Sequence, residues 1–206
     1  MMFRNRADAA EKLAEKLMMY QGENPIILAV PRGAVPMAKI IAKRLGGSYD
    51  LVLVRKLRAP IYKELAIGSV DESGWTYISD LAASVGADSD YIASERQTQV
   101  DVIHQRRLQY TPLRPPIDPC GRIVIVVDDG LATGATMISA LHGLRSRKPS
   151  KLICAVPVSP VETLYKIAEF ADEVVCLETS AEFQSVGQFY EEFPQINDEE
   201  VIKLLS

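Results

Sequence analysis

The sequence predicts an α/β fold: a central, mostly parallel twisted sheet flanked by helices, with a small hood or flap. Three observations carry that reading. Apolar runs of strand length, such as Ile26 to Val30 and Ile123 to Val127, lack the polar alternation of a half-exposed sheet, as strands buried on both faces do. Stretches with apolar residues at helical spacing follow these runs. From Ile123 to Leu177 the order is strand, helix, strand, helix, strand, which dictates parallel strands joined by right-handed crossovers.

The elements follow in chain order. Arg6 to Tyr20 places Ala10, Leu13, Ala14, Leu17 and Met18 on one face, an amphipathic helix for a sheet, with Arg4 and Arg6 either near a partner or solvated. Gly22 and Asn24-Pro25 stop it before the strand Ile26 to Val30. After a loop at residues 30 to 36, helical spacing resumes over Met37 to Leu45. Tyr49 to Arg55 reads as a third apolar strand, closing on Arg55-Lys56. Glu64 to Val70 and Trp75 to Ile78, joined by an Asp71-Glu-Ser-Gly74 turn, read as a hairpin. Ser89 to Arg114 has a loose helical pattern and ends in a proline-rich tract that cannot continue a helix. Strands at Lys151 to Pro157 and Glu173 to Leu177 flank a helix at Val161 to Phe170. A last helix spans Asp198 to Leu205, capped by Asn197 or Asp198.

Bulk properties bound the function. The chain has 206 residues, 48% of them hydrophobic, consistent with one domain over residues 1–206. A net charge of −4 argues against a general nucleic-acid grip. No apolar stretch has membrane-spanning length, and the polar start is unlike a secretory signal. Cys120, Cys154 and Cys176 are odd in number and widely spaced, as in a reduced protein, so the expected location is cytoplasmic.

The chemistry concentrates in Arg122 to Leu144, RIVIVVDDGLATGATMISALHGL. A strand is followed by two carboxylates, Asp128 and Asp129, then a tight loop and a helix start. Free amides and the helix dipole favour an anion at such a start. Gly130 and Gly134 allow close backbone approach, and Thr133 and Thr136 add hydroxyl donors. A Walker loop needs four residues between its glycines and a Lys after them; here three intervene and no Lys follows. A dinucleotide fingerprint has its acid well downstream, whereas these acids precede the loop. A phosphate near a pair of vicinal hydroxyls suits the arrangement, as in a ribose 5-phosphate. The earlier Pro31-Arg32-Gly33 loop also follows a strand and can face the same crevice, with Arg32 and Gly33 as a diphosphate cradle.

VVDDGLATGAT resembles the 5-phosphoribosyl-1-pyrophosphate (PRPP) signature of the type I phosphoribosyltransferases. The resemblance implies an enzyme, a pentosyltransferase, that moves phosphoribose to a small-molecule acceptor such as a nucleobase and releases pyrophosphate. On that basis Asp128 and Asp129 are assigned to the ribose hydroxyls. Gly130, Leu131, Ala132, Thr133, Gly134, Ala135 and Thr136 are assigned to the 5-phosphate, and Arg32, Gly33, Arg55 and Lys56 to the diphosphate. Mg²⁺ is expected to ride on the substrate, with no metal-ligand cluster in the protein. Residues 60–115 take the place of a flap or lid, with Arg106 and Arg107 supplying charge to the leaving diphosphate; for Ser89 to Arg114 an exposed basic helix is the alternative. Residues 178–206, with Phe183, Phe189, Tyr190 and Phe193, take the place of an acceptor hood, or else latch onto the core. A homodimer is expected if Arg55-Lys56 reach a neighbouring subunit. The rival reading from another class is a PRPP- or nucleotide-binding regulator without transfer activity.

Overall fold

A computed structural model describes residues 2–110 and 116–205. Arg114 and the rest of the proline-rich tract at 111–115, read above as a helix stop, lie outside the described residues. Five parallel strands form the main sheet in the order β2-β1-β6-β7-β8: β1 Ile26–Ala29, β2 Ser48–Leu51, β6 Ile123–Val127, β7 Lys151–Ser159 and β8 Glu173–Thr179. Helices α1 Arg6–Lys16 and α2 Val35–Leu45 cover one face, packing on Ile27, Ala29, Ile125, Val127, Ile153 and Ala155. Helices α5 Ala135–Ser146 and α6 Val161–Ala168 cover the other, over Leu28, Val124, Val126, Leu152, Cys154 and Val156. Alternate residues of each strand thus enter different cores, which is why these runs carry no polar positions.

A three-stranded antiparallel sheet, β3-β4-β5, stands beside the main one: β3 Val54–Arg58, β4 Ala66–Asp71 and β5 Thr76–Ile78. The expected hairpin is its β4–β5 pair, with Asp71 Oδ1 accepting the amides of Ser73 and Trp75 inside the turn. The expected single strand from Tyr49 to Arg55 is two strands instead. The chain leaves the main sheet after Leu51 and enters the small one at Val54. An unbroken apolar run carries no signal for a change of sheet. After the short α3, Leu81–Ser84, the long helix α4, Ser89–Tyr110, lies against β3 and β4, with Gln99, Val100, Ile103 and Tyr110 buried. Residues 89–110 of the region expected as a lid or an exposed basic helix form this helix, packed on one side against the small sheet.

The tail packs inward. Tyr190 is buried against Phe3 and Phe193, and α7, Asp198–Leu205, seats Val201 and Leu205 in the core. Its cap is Asn197, whose Oδ1 accepts the Glu200 amide at 2.9 Å. Cys154 is buried, Cys176 half-buried and Cys120 exposed, and all three are free thiols. No helix among the described residues is long and apolar enough to cross a membrane.

The topology fixes where a site can be. From β1 the chain crosses to β2 on one side, and from β6 it crosses to β7 on the other. Helices α2 and α5 accordingly start on opposite faces, and a crevice opens between the carboxyl ends of the adjacent strands β1 and β6. Ile153, fully buried at the centre of the sheet, tests this framework: Ile153→Ala should lower unfolding stability by about 2–5 kcal/mol in urea denaturation.

Candidate active site at the carboxyl edge of the sheet

Backbone pairing carries β6 as far as Val127, which stands opposite Ala29 of β1 and Ala155 of β7. Asp128 and Asp129 are the first residues past the sheet, and both line a cavity of about 220 Å³ with residues 130–137, Lys56 and Val186. Asp129 is locked in place. Arg6 donates from Nε to Asp129 Oδ2 at 2.8 Å and from Nη1 to the Pro194 carbonyl at 2.6 Å, while its guanidinium lies 3.8 Å above the Phe193 ring. Tyr190 donates its hydroxyl to the Asp129 carbonyl at 2.7 Å. Gly33 presses on the same carboxylate, and a Cβ there would collide with Asp129 Oδ2. Gly33 thus serves close packing between the two loops.

Asp128 has no such cation. Its Oδ1 accepts the Asp129 amide at 2.9 Å. Burial first, and then the neighbouring Asp129, push its carboxyl well above the ordinary range, with Lys56 and Arg6 opposing. Burial raises Asp129 as well, against the pull of Arg6. The pair holds negative charge at a cost, as side chains kept for a ligand do.

The loop after the pair divides into anchors and free donors. The Leu131 amide donates to the Val158 carbonyl at 2.9 Å and its side chain is buried, so Leu131 ties the loop to β7. A Cβ on Gly130 would press on Val186 and Val158. Gly134 has φ +76°, and a Cβ there would meet Thr163 of α6 at 2.8 Å. Thr163 in turn donates its hydroxyl to the Ala132 carbonyl at 2.7 Å. These residues shape the loop from behind. The amides of Ala132, Thr133, Gly134, Ala135 and Thr136 have no protein acceptor among the described residues. All five belong to the loop and first turn that line the small cavity.

Next to it lies a basic cleft of about 500 Å³, and Lys56 and Thr136 line both. Arg32, Arg55, Lys56, Arg58, Lys63 and Arg106 face the cleft, against one carboxylate, Glu64. Arg55 and Lys56 were read together at a strand end, but they lie inside β3 and the pleat separates them. Lys56 is exposed toward the cavities, while Arg55 turns to α4 and donates Nε to Gln99 Oε1 at 2.5 Å. Burial, then Arg106 and Arg58 nearby, push the Arg55 guanidinium below its ordinary value. Both residues line the cleft of their own chain.

Arg107 does not join the site as expected. It makes a two-pronged contact with Glu72 in the β4–β5 turn, at 2.8 Å to each oxygen, and is absent from the lining of the cleft. On a helix, adjacent residues point about 100° apart, and here Arg107 turns to Glu72 while Arg106 turns to Asp198 and the cleft. The sequence reading does not single out Arg58 and Lys63, and it gives Arg6 and Tyr190 other places, a partner or solvent for the first and a hood or core latch for the second. Arg58 and Lys63 flank the β3–β4 connection, where Ile61 and Tyr62 are 78% and 67% exposed. That connection borders the cleft, together with Arg106 of α4.

Comparison with known proteins gives the family. The family model described as a phosphoribosyl transferase domain matches residues 3–191. The chain belongs to the phosphoribosyl transferase domain family. Over 205 residues it is 37% identical to two Mycobacterium tuberculosis proteins, from strains CDC 1551 and H37Rv, each provisionally named a phosphoribosyl transferase. The match covers 99% of this chain but 46% of each relative, so the chain spans about half their length. The crystal structure of TT1426 from Thermus thermophilus is similar over 100% of this chain and 98% of that one, with 40% identity and a TM-score of 0.83.

The raised Asp128 carboxyl makes a measurable cost. In the folded phosphoribosyl transferase domain Asp128 keeps its proton to higher pH than in the unfolded chain. Its contribution therefore turns against folding as pH rises from the ordinary carboxylate value through the raised one. Asp128→Asn keeps an acceptor for the Asp129 amide and should raise the melting temperature at pH 7. The gain should shrink as the pH falls toward 4; a thermal melt series across that range checks it.

Proposed function

We propose that this protein is a phosphoribosyltransferase: it binds PRPP, joins the ribose anomeric carbon to a nitrogen of a small-molecule acceptor, a nucleobase in this reading, and releases pyrophosphate. One observation carries the proposal. Five loop and helix-start amides unpaired among the described residues, two carboxylates and a basic cleft adjoin one another, as the phosphate, ribose and diphosphate of a single ligand would require.

In this reading the amides of Ala132 to Thr136, with the Thr133 and Thr136 hydroxyls, hold the 5-phosphate. Asp128 and Asp129 accept from the ribose hydroxyls, Asp129 in a position set by Arg6. Arg32 and Lys56, with Arg55, Arg58, Lys63 and Arg106 around them, take the diphosphate. The anomeric carbon gains oxocarbenium character as the diphosphate departs. The carboxylate pair then faces developing positive charge while the cleft receives the negative leaving group. Catalysis of this kind is positioning plus stabilisation of separating charges, with no covalent intermediate on the protein.

Mg²⁺ would neutralise part of the diphosphate charge. In this reading the ion is carried by substrate oxygens and water, since Asp129 is committed to Arg6. Soluble, cytoplasmic action on small molecules, without nucleic acid or membrane, completes the reading.

Calorimetric titration with PRPP, followed by pyrophosphate release with a panel of acceptors, tests the proposal. Wild type should bind PRPP and release pyrophosphate with one class of acceptor. Asp128→Asn should weaken PRPP binding tenfold or more, about 1.4 kcal/mol or above, while keeping a folded circular-dichroism spectrum. Unchanged affinity would remove the ribose assignment. Binding without release under any acceptor would favour a PRPP-binding regulator.

A further inference from the structure

Two arginines from separate elements converge on a single carboxylate just beyond the basic cleft. Arg32, in the loop after β1, has Nη1 3.9 Å from Asp198 Oδ1, and Arg106, on α4, has Nη2 3.9 Å from Asp198 Oδ2. The Tyr110 hydroxyl donates to Oδ1 at 3.3 Å. Asp198 opens α7, yet the helix does not need this carboxylate. The capping is done by Asn197 and Glu200, which exchange side-chain-to-amide bonds at 2.9 and 2.8 Å. Val201 and Leu205 are buried, and the Leu204 carbonyl accepts from Tyr49 and Lys39, so the far end of α7 is independently anchored.

The geometry is that of an anion held loosely. Both separations are at the outer edge of an ion pair, and the Asp198, Arg32 and Arg106 side chains keep 41%, 40% and 26% of their exposure. A phosphate oxygen forms charge-assisted bonds to a guanidinium at about 2.7–2.9 Å, often two at once. Such a ligand outcompetes a carboxylate 3.9 Å away. We propose that Asp198 is an internal counter-ion that stands in for the ligand on Arg32 and Arg106 and is displaced when a diphosphate enters the cleft. It is a specificity-determining residue: it offsets one positive charge of the empty cleft, so that weakly bound anions gain little there while a multiply charged diphosphate still enters. The inference rests on the diphosphate reading of the cleft given above.

Titration of the full chain with inorganic pyrophosphate tests it, comparing wild type, Asp198→Asn and Asp198→Glu. Asp198→Asn should bind pyrophosphate about two- to fivefold tighter at low salt, the range of a solvent-exposed ion pair. The advantage should shrink as ionic strength rises, and Asp198→Glu should behave as wild type. Tighter binding cannot come from a merely structural role for Asp198, because a loosened α7 would weaken the site. If wild type binds pyrophosphate and Asp198→Asn binds it equally or more weakly, the counter-ion role is wrong. If wild type does not bind pyrophosphate at all, the diphosphate reading beneath it falls as well.

Discussion

The contact between Arg6 and Asp129 holds the two ligand-facing loops in register. A guanidinium from the first turn of α1 meets a carboxylate just past β6, at 2.8 Å, and Gly33 packs on the same oxygen. Three segments distant in sequence meet at one atom. An ion pair this enclosed is a poor source of net stability, because desolvation offsets most of the attraction, but removing one partner strands the other charge and typically costs about 3–5 kcal/mol. Its value here is geometric. The Arg6–Asp129 pair sets the direction in which the chain leaves the sheet, and hence where the free amides after it point. Tyr190 and Phe193 complete the lock, so the tail reaches the site by supporting it from beneath.

Around that lock the charges are sorted by kind. The phosphate-sized cavity offers peptide dipoles and hydroxyls, the residues just past β6 offer carboxylates, and the larger cleft offers arginine and lysine. A chain with net charge −4 nonetheless focuses six cationic side chains on one concave surface. In the proposed reaction this arrangement would set carboxylates near the cationic sugar and basic side chains near the departing diphosphate. Raised carboxyls at Asp128 and Asp129 are the corresponding burden on the fold.

Much of this was legible beforehand, and the failures have definite causes. The acidic pair, the loop and the helix start are contiguous, so their mutual geometry is nearly local and the sequence displays it. Arg32 sits in a loop after a buried strand, and parallel topology alone brings that loop beside the other. The sides to which Arg55 and Lys56 point depend on where the chain changes sheets, at Val52-Leu53, and an unbroken apolar run does not reveal that. Arg107 was misassigned because its helix had no clear phase, its charged and apolar residues being spread around the axis. Glu72 then decided which of the adjacent arginines faced away from the cleft.

By itself the sequence determined the class of fold, the parallel order of the β6–β8 crossovers, the hairpin, and the succession of two carboxylates, tight loop and helix start from Asp128 to Thr136. Each is written in short-range pattern: periodicity, turn residues or contiguous donors and acceptors. The tertiary structure alone decided which loop amides stay free, that Gly33 and Gly130 serve packing, that Arg6 holds Asp129, and that Asp198 faces Arg32 and Arg106. Those facts depend on contacts between residues far apart in the chain, and the same residue type is solvated in one packing and buried in another. Pattern along a chain encodes which face of an element is apolar; only assembly decides what that face meets.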